Sequence, residues 1–265
     1  MNQPQENLIV RAGSFFFRFR DFLFPAVFIA LAIGGRPHLF GGSLLSDLVM
    51  DLLGVSLVIT GHAIRAIVIG YVYIERGGKN KRVHASKLVQ GGVFAHCRNP
   101  LYVGNILVYM GLILTYNAPL MYAVGLPFFL FAYYSIVNAE ENFLRTKFGK
   151  EYVDYCARVP RFLLSLKGVT KTFACMEYDW KRTLRKDYGS VYASTVGIIS
   201  IMMWERISNA GVPDTRGQLQ RLVLLLLAAS LGYILARYLK KSGRLDSSEE
   251  PIIKPQGPQS SRRAA

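Results

Sequence analysis

The chain has 265 residues, 51% of them hydrophobic, and a formal net charge of +15; its mean hydropathy is +0.25. The apolar residues fall in blocks, which excludes an ordinary soluble domain and points to an integral membrane protein. The surplus of Lys and Arg lies between those blocks, as membrane topology and anionic lipid require, so no nucleic-acid partner is expected.

Crossing hydrocarbon takes roughly 20 apolar residues per helix. Candidate spans lie at 22–34, 48–73, 101–117, 120–137, 191–204 and 219–238, the first and fifth being short. The expected fold is all-α, a polytopic transmembrane bundle of about six spans. Arg11, Arg18 and Arg20 precede the first span and no small-residue cleavage site follows it, so it reads as a retained span. A cytoplasmic N-terminus puts most Lys and Arg in the tails and even-numbered loops, so both termini are predicted to be cytoplasmic. Four stretches follow: an N-terminal hairpin at 1–74, a motif-bearing segment at 75–166, a linker with two spans at 167–241, and a polar tail at 242–265 that is predicted to be disordered.

Within the second span, His62 and Arg65 are three residues apart. Arg65 either snorkels to the cytoplasmic face or contacts a substrate or the acidic pair described below. The loop after that span carries Gly77-Gly78 and Gly91-Gly92, suited to turns with positive φ. Tyr116-Asn117-Ala118-Pro119 forms a short turn that folds spans three and four into an antiparallel hairpin. Beyond 137, apolar residues at Phe143, Leu144, Phe148, Tyr152 and Tyr155 recur at helical spacing, which predicts one amphipathic helix under the bundle on the cytoplasmic side.

Cys97, Cys156 and Cys175 are odd in number and fall on the predicted cytoplasmic side, so they read as free thiols. The four histidines, His38, His62, His84 and His96, do not combine with cysteine at zinc spacing, and no metal site is expected. The chain contains no Gly-x-Gly, so a dinucleotide loop of the soluble kind is not expected.

The densest pattern is Arg98-Asn99-Pro100-Leu101-Tyr102-Val103-Gly104, then the hairpin, then Glu140-Glu141, Phe148-Gly149, Tyr152, Tyr155 and Val159-Pro160-Arg161. Pro100 suits the first turn of a helix, with Asn99 as its N-cap. Tyr102 and Asn105 share a face, and Gly104 permits close approach of a neighbour. The hairpin returns Glu140 and Glu141 to the membrane face that holds Arg98. One carboxylate can then pair with arginine while the other accepts from ribose hydroxyls or an ammonium group. Arg158 and Arg161, near Asp154, Tyr152 and Tyr155, suit bidentate capture of a carboxylate or phosphate.

In this ordered set, together with Gly92-Val93-Phe94, the chain resembles the isoprenylcysteine carboxyl methyltransferase family and its phospholipid methyltransferase relatives. The resemblance implies a membrane methyltransferase that binds S-adenosylmethionine on the cytoplasmic side. It assigns Gly92, Arg98, Asn99, Pro100, Tyr102 and Glu140 to the cofactor. It assigns Glu141, Arg158 and Arg161 to catalysis, by orienting the acceptor or its reacting group. The acceptor it implies is lipophilic, an isoprenylcysteine-type carboxylate or a lipid amine, entering from the bilayer. Asn99 stands where the family usually carries His; Asn can hydrogen-bond and cap but cannot titrate. The last two spans lie outside the resemblance. Two alternatives are a sterol-type membrane reductase using NADPH, whose pattern has Glu after the glycine where Asn105 stands here, and a non-catalytic membrane scaffold of the same fold.

Overall fold

A computed structural model describes residues 7–37, 44–72, 84–208 and 215–246. Gly77-Gly78, His38 and most of the predicted tail lie outside the described residues. The elements are α1 (Leu8–Gly34), α2 (Leu44–Tyr71), a 3₁₀ turn (Gly92–Ala95), α3 (Pro100–Tyr116), a π turn (Met121–Gly125) running into α4 (Leu126–Phe148), α5 (Lys150–Arg158), α6 (Val169–Ala174), α7 (Trp180–Ser208) and α8 (Thr215–Lys241). No strand occurs among the described residues. Three helical stretches are long and apolar enough to cross a membrane, Leu45–Tyr71, Met121–Phe148 and Thr215–Lys241, and Pro100–Tyr116 is a shorter apolar helix.

The first and fifth predicted spans are parts of longer helices. α1 begins at Leu8, with the Asn7 side chain accepting from the Ile9 amide at 3.4 Å. It runs through Arg11, Arg18 and Arg20 because its rings share the load. Arg20 lies 4.4 Å over Phe17, and Phe24 is buried with T-shaped contacts to Tyr109, Phe129 and Tyr133. α7 likewise extends well below residue 191, to Trp180.

Helix ends fix the up-and-down order. At one end the Tyr116 hydroxyl donates to the Ala32 and Gly35 carbonyls, and the Asn117 side chain donates to Asp47. At the other, the Asp179 amide donates to Gly70 O at 2.9 Å, and Arg185 pairs with Asp246 at 3.1 Å. Asn117 takes the left-handed conformation, φ 47°, and closes α3. Most of α8 is uncovered; Leu224, Leu231 and Ile234 are exposed and form a lipid-facing surface.

The closest helix pair is α2 against α3. A Cβ on Gly61 would lie 2.6 Å from Gly104 O, one on Gly104 2.7 Å from Gly61 O, and one on Gly111 2.4 Å from Gly54 O. Small residues let the two backbones touch, which is how helices associate where solvent cannot drive them together. Gly111→Leu is expected to destabilise the bundle by about 3 kcal/mol or more, read as a lower unfolding midpoint in detergent.

The region after 137 is two helices, not one. α4 continues to Phe148, Gly149 stops it at φ +53°, and α5 starts afresh. Tyr152, Tyr155 and Val159 then pack as a small cluster with Leu88, Leu144 and Phe148.

Candidate active site

Asn99 sits at the start of α3, and its carbonyl accepts from the Tyr102 and Val103 amides, each at 3.1 Å. Its side chain does not cap the helix. The Nδ2 group instead donates to Glu141 Oε1 at 2.9 Å and to the Arg161 carbonyl at 3.2 Å. The bond from Nδ2 to a charged acceptor fixes the side chain in an orientation in which its Oδ1 does not cap the helix amides.

Glu141 is the hub of this corner. Arg98 Nη1 lies 3.8 Å from Oε1 and Arg161 Nε lies 3.1 Å from Oε2. The latter is an ion contact rather than an aligned bond. The buried Nε atoms of both arginines have no hydrogen-bond partner among the described residues. Arg161 also stacks over Tyr134 and Phe162, and the Arg98 amide donates to Pro160 O at 3.0 Å. The hairpin therefore brings the guanidinium of residue 98 and the acidic pair to one end of the bundle.

Glu140 faces the other way. The Tyr102 hydroxyl donates to its carboxylate and accepts from Arg20 of α1. All three side chains line a cavity of about 1020 Å³ that also takes in Arg98, Asn99 and Pro100. Glu141, Arg158, Arg161 and Gly92 are not on its wall. Arg158 is exposed and donates to Gln90 Oε1 at 3.1 Å. Gly92, at φ +61°, packs against Val72 and Met176, where a Cβ would lie 2.8 Å from Val72.

Below the helices, Tyr152 and Tyr155 close the cavity. Burial pushes both phenols well above their usual range, with Glu141 adding to the effect at Tyr152 and Cys97 at Tyr155. They therefore act as hydrogen-bond donors, and Tyr155 donates to Phe94 O at 2.8 Å. Burial also raises the Cys97 thiol, which keeps it neutral. For Arg98, burial would lower the value, but Glu141, Cys156 and Tyr152 together outweigh it and hold the guanidinium charged.

A second polar group lines the same cavity one level up. Arg65 is buried and does not snorkel: it is paired with Asp187 of α7, and also donates to Asn105 and, at 3.0 Å, to Ser190. His62 Nε2 lies 2.7 Å from Ser194 Oγ, and Asp187 Oδ2 is 3.8 Å from His62 Nδ1. His96 has both ring nitrogens bonded, to Ser165 O at 2.8 Å and Thr172 Oγ1 at 2.9 Å, which makes it a packing residue. Cys97, Cys156 and Cys175 are free thiols. At the far end, Asp47, Asp51 and Glu205 bring one carboxylate oxygen each within 4.8 Å of one another. None of the three lines the cavity.

Sequence reasoning missed Arg20, Asp187, Ser190 and Ser194. Arg20 looked like a topology charge, and the α7 residues lay outside the recognised pattern.

Three comparisons bear on this geometry. Residues 49–151 match the family model described as phospholipid methyltransferase. The chain is 33% identical over 139 residues to the cobalt-zinc-cadmium resistance protein CzcN of Cupriavidus metallidurans; the match covers 52% of this chain and spans 59% of that protein's length. No solved structure matches. The matched stretch, from within α2 to the start of α5, carries Arg98, Asn99, Tyr102, Glu140 and Glu141.

Proposed function

We propose that the protein is an S-adenosylmethionine-dependent methyltransferase acting on a lipophilic acceptor in the membrane. The observation that carries this is one continuous cavity with a charged end at Arg98, Asn99, Tyr102 and Glu140, a polar collar at His62 and Arg65, and a mainly apolar remainder between α1, α3 and α7. Its volume, about 1020 Å³, is large for a single small ligand and suits two.

The donor set fits the cofactor. A zwitterionic sulfonium nucleoside needs a cation for its carboxylate, an anion for its ammonium and ribose groups, and rings for its base. Arg98 with its unpartnered Nε, Glu140, and the Tyr152 and Phe94 rings supply these. When bound, S-adenosylmethionine supplies an electrophilic methyl group on a positively charged sulfur. Tyr102 and Arg20 fix Glu140 in place, and Asn99 is held by Glu141. Glu141 and Arg161 thus serve as positioning residues behind the wall, and Arg158 braces the loop at Gln90. A carboxylate acceptor needs only orientation and exclusion of water. An amine must lose a proton, and Glu140 is the carboxylate within the cavity's polar end.

The charged end of the cavity lies at the membrane face that holds Arg98, Arg161 and Arg185. By the distribution of basic residues this is the cytoplasmic face, with both termini on that side and about six helices crossing. The test is titration of the purified full chain with S-adenosylhomocysteine and with NADPH. Binding of the former is expected. Binding of NADPH alone would assign a reductase, and binding of neither would assign a scaffold.

A further inference from the structure

The C-terminal helix pair lies outside the matched segment, yet α7 forms one long wall of the cavity. Gly189, Ala193 and Gly197, spaced four residues apart, face the void; Leu112 of α3 forms the floor, and Phe28 and Ile33 of α1 form the opposite wall. A Cβ on Gly189 meets nothing within 4 Å, and one on Gly197 meets only Leu112 Cδ2 at 3.4 Å. The backbone of α7 at these turns borders open space. The glycines of the α2–α3 contact behave oppositely, with a neighbour under 3 Å from every Cβ position at Gly54, Gly61, Gly104 and Gly111. Small residues on α7 therefore leave room for something other than a helix.

Polarity narrows what that is. Where the slot meets the charged end, the Arg65 guanidinium is neutralised by Asp187 and saturated further by Asn105 and Ser190, while His62 is engaged by Ser194. This collar offers amide, hydroxyl and imidazole groups, and its guanidinium already carries its counter-ion. A phosphate or carboxylate gains little there, whereas an uncharged polar linkage joined to a hydrocarbon chain matches the collar and the apolar slot together.

We propose that the slot between α1 and α7 is the binding site of the acceptor's hydrocarbon chain, and that Gly197 is a specificity-determining position that sets its width. The C-terminal helix pair is then the acceptor-selecting part of the protein. The word acceptor rests on the methyltransferase reading above; the slot as a site for a long hydrocarbon chain does not.

The experiment uses the full chain in detergent and native mass spectrometry with two probes, N-acetyl-S-farnesylcysteine for an isoprenyl chain and palmitoyl-lysophosphatidylethanolamine for an acyl chain. Gly197→Leu is compared with Gly232→Leu, which adds the same bulk to α8, where a Cβ also meets nothing within 4 Å. Wild type is expected to retain one copy of one probe, which identifies the chain type. Gly197→Leu should lower that retention at least tenfold, with helical content by circular dichroism and S-adenosylhomocysteine affinity unchanged, and Gly232→Leu should retain the probe as wild type does. Retention of neither probe by wild type, equal retention by Gly197→Leu, or equal losses in both variants overturns the proposal. If no form binds S-adenosylhomocysteine while probe retention still falls only in Gly197→Leu, the slot stands and the methyltransferase reading falls.

Discussion

Asp187→Ala is expected to destabilise the protein by about 3–5 kcal/mol, because it strands a buried guanidinium without its counter-ion. Arg65 is 4% exposed and sits between α2, α3 and α7, where Asn105 and Ser190 can supply dipoles but no charge. The double replacement Arg65→Met with Asp187→Leu should recover most of the loss, since it removes both charges and keeps the volume. Unfolding free energies of Arg65→Met, Asp187→Leu and the double variant give the coupling energy. An Asp187→Ala midpoint equal to wild type would mean that the pair does not hold the helices together.

Adjacent glutamates are expected to fail in different ways. Glu140→Gln should lower S-adenosylhomocysteine affinity at least tenfold, about 1.4 kcal/mol, with little change in stability, because Glu140 faces the cavity and keeps its Tyr102 contact as an amide. Glu141→Gln should cost about 2–4 kcal/mol of stability, because it withdraws a charge shared by Arg98, Arg161 and the Asn99 amide. Calorimetric titration and thermal unfolding of both variants check this, and the reverse pattern would exchange the two roles.

The contrast also marks what could be read from the chain. Arg98 and the acidic pair are joined by one short turn, so periodicity and the Asn117 turn together predict their meeting. Which glutamate faces the cavity is not predictable in that way. Neighbours on a helix point about 100° apart, and the rotation of α4 is set by α1, whose Gly13 lies against the Ser135 carbonyl. Arg20 and Asp187 escaped notice for a related reason. Each reaches the cavity from a distant helix, and a lone charge beside an apolar run looks the same whether it faces lipid headgroups or a partner. The predicted amphipathic helix failed at one residue, since the spacing from Phe148 to Tyr152 stays in phase across Gly149 although the backbone there leaves the helix.

The ion pair between α2 and α7 also constrains biosynthesis. Its two members are 122 residues apart. At about 5–20 residues per second of translation, residue 65 waits roughly 6–24 s for its carboxylate to be made. Asn105 arrives first, 40 residues after the arginine, and can shelter it in the interval. Membrane insertion of the nascent chain should therefore pass through a stage in which the amide alone tends the charge. A ribosome-bound chain stopped before residue 187 would be the one most readily extracted by quality-control machinery.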